Sequence, residues 1–293
     1  AGETYLNARV AADFTATSAW TPVADYKGIF DGNGKTISGL NQPLFDNLRG
    51  VIRNLTLNSN INATAADDTN WGMFTKTLVP SAEVDDVAGL YNCTAKGSLT
   101  FTPSAALAKD SQIGGLVGNN RGGAVSSCTN EATVTMGASG DTHSSQVSLG
   151  GVVGRTQKGG DLSTQGDISN CTNNGSVVCN AKLSENIYIG GVLGYQVEKK
   201  EYISGCVNNG LVKLGSTFST GKSIQLGGVI GMNKSIINET ELFNTVYFLA
   251  GDITISQTSL QKPVLPVETR AIITSESVAL SVVSTVRTAL TQV

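Results

Sequence analysis

The sequence predicts an all-β chain wound as a parallel β-solenoid of about six to seven coils with a C-terminal cap, on three observations. One phrase built on Gly-Gly recurs at near-constant spacing, a second phrase centred on Cys recurs in step with it, and the glycine excess falls largely into these phrases. The 293 residues include 34 Gly and 5 Cys, with only 15% charged and 6% aromatic. Disorder is excluded, because 40% hydrophobic residues and a formal net charge of −3 do not give the high charge and low hydrophobicity of unfolded chains. The glycines have no three-residue period, which excludes collagen. No basic cluster exists to hold a phosphate backbone, so nucleic acid is not an expected partner. No apolar run reaches the length of a membrane span and no signal peptide opens the chain. The chain begins at Ala1 rather than Met, so a removed leader or a further domain of the same precursor is expected.

The Gly-Gly phrase reads Ile113-Gly-Gly-Leu-Val-Gly118, Leu149-Gly-Gly-Val-Val-Gly154, Ile189-Gly-Gly-Val-Leu-Gly194 and Leu226-Gly-Gly-Val-Ile-Gly231, with starts 36, 40 and 37 residues apart. Weaker copies stand at Gly72-Met-Phe74, Pro43-Leu-Phe45 and Gly28-Ile-Phe30. Between the copies lie Tyr91-Asn-Cys-Thr94, Ser126-Ser-Cys-Thr129, Ser169-Asn-Cys-Thr172 and Ser204-Gly-Cys-Val207, with Arg53-Asn-Leu-Thr56 in the same slot. Short, β-branched segments that alternate with period two and are bounded by Gly and Asn are strands, not helical repeats. Ile113, Leu149, Ile189 and Leu226 are expected to form one inward ladder, and Val117, Val153, Leu193 and Ile230 another. Gly115, Gly151, Gly191 and Gly228 share that inward parity, where the lack of a side chain lets the wall approach a packed interior. Ile168 and Cys171 break parity, three apart yet both inward, so a bend is expected between them. Arg155 to Asp167 and Gly137 to Ser148 read as loops thrown out from the wall.

The ends follow from the same logic, since a parallel stack exposes strand edges unless covered. Tyr5 to Val10 reads as a first strand, and Phe243 to Phe248 and Asp252 to Ser256 as last strands. Beyond Pro263 and Pro266, Ala279, Val282, Val283, Val286, Leu290 and Val293 lie at helical spacing with Ser275 as N-cap, although the β-branched content suits strands as well. Residues 1–255 are therefore read as the solenoid and 256–293 as a capping or docking segment.

These phrases resemble proteins with GLUG-type repeats, found on the surfaces of gut Bacteroidetes and of some Gram-positive bacteria. The opening, Trp20-Thr-Pro-Val23 followed by Gly28-Ile-Phe-Asp-Gly-Asn-Gly-Lys-Thr-Ile-Ser-Gly-Leu40, is similar to theirs, with Lys35 where many relatives carry His. The resemblance covers about Tyr5 to Ile255. It implies a right-handed parallel β-helix of pectate-lyase-like architecture and an extracellular or cell-surface location, and it is associated with adhesin-like assemblies rather than one reaction.

Candidate sites are few. Cys93, Cys128, Cys171 and Cys206 occupy one ladder position and Cys179 another. Parallel in-register side chains point alike and fit disulfide geometry poorly, so buried free thiols are expected. Coil-to-coil spacing without spare His gives no zinc site, and no repeated Asp ladder builds a calcium site, so neither metal nor cofactor is expected. Glycosidase chemistry wants two carboxylates converging across a cleft. The only adjacent acidic pairs, Asp67-Asp68 and Asp85-Asp86, sit in irregular stretches flanking Trp71 as solvated turn acids, and Asp31 reads as a turn residue. His143 lies in a polar loop with no assignable triad partner. No catalytic residue is assigned. A polysaccharide lyase or glycoside hydrolase using loop acids near Trp71 is the alternative, and a structural spacer the third reading. Binding falls on an outward turn column, Asn119, Arg155, Tyr195 and Met232, followed by Asn120, Thr156, Gln196 and Asn233. With Tyr188 and Tyr202, whose rings cluster with Tyr195 in one coil, the binding residues are Asn119, Arg155, Tyr188, Tyr195 and Tyr202. The expected ligand is a glycan or a host surface protein, and the expected role is a non-catalytic, adhesin-like module.

Overall fold

A computed structural model describes residues 6–64, 69–80, 88–102, 109–137, 142–143, 145–157, 167–197, 203–215, 219–220, 224–233, 253–255, 269–271 and 282–285. The chain is a parallel β-helix with three walls. The first wall receives the strands that lead into each Gly-Gly phrase: Asn70–Gly72, Ser111–Gly114, Val147–Gly150, Ile187–Gly190 and Ile224–Gly227. The second receives those that leave it: Val23–Tyr26, Phe45–Leu48, Thr75–Leu78, Val117–Asn120, Val153–Thr156, Leu193–Gln196 and Ile230–Asn233. The third is a 16-stranded sheet around the Cys phrase. Among the described residues every pairing is parallel except two near the C-terminus. A small sheet of Thr142–His143, Lys182–Leu183 and Ser219–Thr220 adds a strand inside the stretch 137–148, which reads as loop in the sequence.

Register follows the repeat. Ile113, Leu149, Ile189 and Leu226 are successive partners in the first wall, as are Val117, Val153, Leu193 and Ile230 in the second. All but the half-buried Ile230 belong to the buried core. In the third wall, Leu99, Val134, Val177 and Val212 stack, and beside them Phe101, Met136, Cys179 and Leu214. Each coil thus adds one apolar set to a continuous core, at roughly 1.5–3 kcal/mol per fully buried side chain.

The parity break before each Cys is a left-handed backbone kink. Asn54, Asn92, Ser127, Asn170 and Gly205 occupy it with φ of 54°, 51°, 54°, 52° and 60°. L-residues avoid this region except Asn, Asp and Gly, which is why four of the five are Asn or Gly. The kink turns the wall so that Ile168 and Cys171 both face inward, each fully buried.

Each glycine of the Gly-Gly phrase answers a different crowding. A Cβ on Gly114 would strike the carbonyl of Val117 inside the bend. One on Gly115 would lie 2.5 Å from Asn130 Oδ1. One on the closing Gly154 would lie 2.5 Å from the amide N of Ile113 in the preceding coil. The closing glycine therefore lets the second wall lie directly on the backbone of the first.

At the N-terminal end, Ala8–Arg9 pairs with Ile29–Ser38, as the sequence leads one to expect. An aromatic group of Tyr26, Phe30 and Phe45, with centroids 4.8–6.1 Å apart, closes the core there. At the other end Ile253–Ile255 continues the third wall, while 243–248 lies outside the described residues. The helical reading of the tail is overturned at Val282 and Val283. Val282–Thr285 is a strand, antiparallel both to Thr269–Ala271 and to the last first-wall strand. Its β-branched residues satisfy the open ladder of that edge, which a helix would leave unpaired.

Candidate functional site: the seam between two walls

Two columns face one another across the Gly-Gly bend. Asn119, Arg155, Tyr195 and Met232 are register partners on the second wall. Gln112, Ser148, Tyr188 and Gln225 are partners on the first. They meet rung by rung, seven residues apart in sequence. The rings of Tyr188 and Tyr195 lie 4.6 Å apart with planes at 42°. In an earlier coil Asn70 Nδ2 donates to Thr77 Oγ1 at 3.4 Å. The close approach of the walls at the closing glycines brings these side chains into contact.

Four of the five sequence-derived binding residues, Asn119, Arg155, Tyr188 and Tyr195, come together in this seam; Tyr202 lies outside the described residues. Their setting corrects the sequence expectation in two respects. Asn119, Asn120, Arg155, Thr156, Tyr195 and Gln196 are in strands, not turns, and all but the half-buried Arg155 are buried. Tyr188 and Tyr195 are 7% and 6% exposed, so the rings present no open face for a sugar to stack on. Packing of the two columns against each other is the cause. Burial also pushes the Tyr188 phenol above its ordinary range, with the proximity of Tyr195 and Asp110 adding to the effect.

The polar groups of the seam are arranged around Arg155. Its guanidinium lies 5.6 Å from the Tyr195 ring centroid, a cation–π distance, and 3.8 Å from Asp110 Oδ2. Asp110 is fixed by its other oxygen, which accepts from the Gln146 amide at 3.2 Å. Three buried atoms here have no hydrogen-bond partner: Asn119 Oδ1, Ser148 Oγ and Arg155 Nε. Buried polar groups are normally paired; among the described residues, Thr156 Oγ1 and Arg121 Nε nearby share this condition.

The remaining candidates resolve differently. All five cysteines are free and buried. Cys171 Sγ donates to the Val125 carbonyl at 3.2 Å, and the other column thiols bond equivalent carbonyls. Burial pushes the Cys128 thiol up, and Cys179 to about 12 for the same reason. Such thiols are inert packing groups. Among the described residues no group of His, Cys, Asp and Glu could hold a metal ion. Trp71 is not a surface aromatic; it is buried beside Phe101, with Lys76 over its ring at 5.0 Å. Asp67, Asp68, Asp85 and Asp86 lie outside the described residues. His143 falls in the short strand Thr142–His143. Asp31 lies in the strand Ile29–Ser38 rather than a turn, at the register shift before Lys35; its Oδ1 accepts from the Asn33 amide at 2.9 Å, which holds its carboxyl below the usual range.

One column escaped the sequence reading. Asn130, Asn173 and Asn208 point into the core and are fully buried. Asn130 Nδ2 donates to Asn173 Oδ1 and Asn173 Nδ2 to Asn208 Oδ1, each at 2.7 Å. The side chains also bond the local backbone at Ala132, Gly175 and Gly210. This amide ladder fills the space opposite Gly115, Gly151 and Gly191. Asn two residues after Cys in three of four copies was the available signal.

Fold and columns define a repeat-built parallel β-helix. More particularly, residues 110–135 match the GLUG motif family, the span that holds the first full Gly-Gly phrase and its Cys phrase. Among solved structures, the chain is similar to a "putative immunoglobulin A1 protease" from Bacteroides ovatus, with a TM-score of 0.56 and 15% identity, over 94% of this chain and 75% of that one. At that identity the likeness concerns the fold. No curated protein matches the chain. Among the described residues no helix is long and apolar enough to cross a membrane.

Proposed function

We propose that the chain is a non-catalytic, adhesin-like binding module, displayed extracellularly or on a cell surface, that recognises a glycan or a host surface protein from a rigid β-helical rod. The observation behind this reading is the seam, where Asn119, Arg155, Tyr188 and Tyr195 converge on adjoining rungs with three buried polar atoms left unpaired. Unpaired buried polar groups cost about 1–3 kcal/mol each, and these lie on rungs next to the partly exposed Arg155–Asp110 pair. Arrays of glycans and of host surface proteins, probed with the purified chain, test it. Saturable binding to members of one class is expected, and the absence of any signal above background on both would refute it.

A second reading, an enzyme on the same scaffold, draws support from the name of the Bacteroides ovatus neighbour, although fold alone does not give function. Incubation with immunoglobulin A1 and with a panel of polysaccharides decides the matter. New fragments that appear only with the active chain would replace the binding reading.

A further inference from the structure

We propose that Asn33 is a self-modifying residue: the amide nitrogen of Gly34 attacks the Asn33 side-chain carbonyl, polarised by Arg9, and water converts the product to aspartate and isoaspartate. The inference goes beyond the binding-module reading and does not depend on it. Three Asn-Gly pairs occur in the chain, Asn33-Gly34, Asn174-Gly175 and Asn209-Gly210. In such a pair the nucleophile carries no neighbouring side chain to shield it. The reacting atoms are already joined through the asparagine backbone, so ring closure needs only bond rotation and no cavity to enter.

The fold separates the three pairs. Gly175 N donates to the Asn130 carbonyl and Gly210 N to the Asn173 carbonyl, each at 3.2 Å. Both glycines are packed into the third wall, where an added Cβ would strike the carbonyl of Ala132 or of Gly175. Their nitrogens are held, and rotation there would break the ladder. Gly34 is exposed, and no atom of the described residues lies within 4 Å of an added Cβ. The register between Ile29–Ser38 and Val51–Ala63 jumps from Asp31 opposite Arg53 to Lys35 opposite Leu55. Asn33 and Gly34 thus fall in a bulge, outside the ladder. Both have left-handed φ, 52° and 70°, so this stretch can rotate without losing a pairing.

Arg9 supplies the activation. Its Nη2 donates to Asn33 Oδ1, the oxygen that gains negative charge as Gly34 N adds to the carbonyl. A cationic donor already in place there favours the addition. The Gly34 N–Cγ bond forms, the Cγ–Nδ2 bond breaks, and the proton of Gly34 N reaches the departing ammonia through solvent. Water then opens the imide ring, at Cγ to give aspartate or at the main-chain carbonyl to give isoaspartate; nothing is oxidised or reduced. The product has a carboxylate oxygen where Asn33 Nδ2 had donated to the Val10 carbonyl at 3.3 Å. One tie between the bulge and the N-terminal strand is therefore lost with the age of the molecule.

The test is storage of the whole chain at neutral pH, folded and in urea, followed over weeks by peptide mass mapping, an isoaspartate-specific methyltransferase assay and release of ammonia. In the folded chain Asn33 is expected to convert to both products while Asn174 and Asn209 persist; in urea all three should convert. Arg9→Ala should slow folded-state conversion at Asn33 by about tenfold, the loss of one transition-state donor at a solvated site. It should leave the rate in urea unchanged, and that comparison separates activation by the fold from intrinsic reactivity. Persistence of Asn33 in the folded chain overturns the proposal, as does equal conversion of all three pairs there. Aspartate without isoaspartate overturns the ring-closing step. Faster conversion in folded Arg9→Ala would show that Arg9 restrains the amide, which overturns its assignment as the activating group. None of these outcomes bears on the glycan and host-protein arrays, so the binding-module reading stands or falls separately.

Discussion

Replacing Gly115 by Ala should destabilise the β-helix, whereas the same change at Gly228, the equivalent position three coils on, should not. At Gly115 the new Cβ would lie 2.5 Å from Asn130 Oδ1 and 2.7 Å from its Cγ, and against the Gly151 carbonyl as well. Real Cβ atoms essentially never approach closer than 3.0 Å, so the amide must retreat by at least 3.0 − 2.5 = 0.5 Å. It cannot retreat freely: Asn130 donates to Ala132 O at 2.8 Å and to Asn173 Oδ1 at 2.7 Å, and accepts from the Ala132 amide at 3.2 Å. Overpacking costs about 1–3 kcal/mol, and each bond stretched or lost adds about 1 kcal/mol. A net loss of about 3 kcal/mol corresponds to a fall in melting temperature of roughly 6–12 °C for a chain of this size. At Gly228 no atom of the described residues lies within 4 Å of the added carbon, and the gain from a stiffer unfolded chain is about 0.4–1 kcal/mol. Thermal and urea denaturation of both variants, with an Asn130→Ala and Gly115→Ala double-mutant cycle, measures the effect. The cycle should give a coupling of about 1 kcal/mol or more, because removing the amide relieves its share of the clash. Equal melting temperatures for the Gly115 and Gly228 variants would refute the idea that glycine is there to make room for the amide ladder.

Four further outcomes are expected. Asn173→Leu strands the Asn130 donor, the Asn208 acceptor and the Gly175 carbonyl, and should cost about 3–5 kcal/mol in urea unfolding. Asn170→Val, at a φ of 52°, should lose about 1–2 kcal/mol, whereas Asn170→Gly, which copies Gly205, should be near neutral in the same assay. The thiols should resist iodoacetamide at pH 8 in the folded chain, and all five should react in urea. Cys179 is raised to about 12 from an ordinary 9.0. The folded state therefore holds a proton that the unfolded state releases, so this stability is full below pH 9 and is lost as pH rises towards 12. A urea midpoint that rises across that range would contradict the assignment.

What the sequence disclosed was whatever a single coil expresses by parity. Ile113, Leu149, Ile189 and Leu226 fall on the core because alternation and equal spacing leave no other register, and the three-residue step from Ile168 to Cys171 revealed the kink. The Asn130, Asn173 and Asn208 ladder was written just as regularly, but buried amides defy the expectation that polar residues face water. They are satisfied by one another, which a residue-by-residue hydropathy reading does not see. The seam was half legible. Its members were picked out as a column, yet their burial was not, because the angle at the Gly-Gly bend sets which faces meet and no local pattern encodes that angle. Helical spacing misled in the tail, where the demand of an open sheet edge outweighs a weak period among β-branched residues.

The two kinds of column differ in what they tolerate, and that difference indicates where recognition resides. Inward positions exchange Ile for Leu and Val for Leu from coil to coil, because the core asks only for apolar volume. The facing seam columns exchange chemistry instead: Gln112 with Asn119, then Ser148 with Arg155, then Tyr188 with Tyr195, then Gln225 with Met232. A seam kept only for packing would keep one chemistry from rung to rung, as the core stays apolar throughout. Rungs of unlike chemistry on a uniform frame give each coil its own surface, so specificity can change at one rung without disturbing the register of the others. Exchanging the Ser148 and Arg155 pair for Gln and Asn, the pair one rung earlier, should on this account leave the melting temperature within a few degrees while abolishing ligand binding. A collapse of the fold without a change in ligand preference at lower temperature would show instead that the rungs differ for reasons of packing.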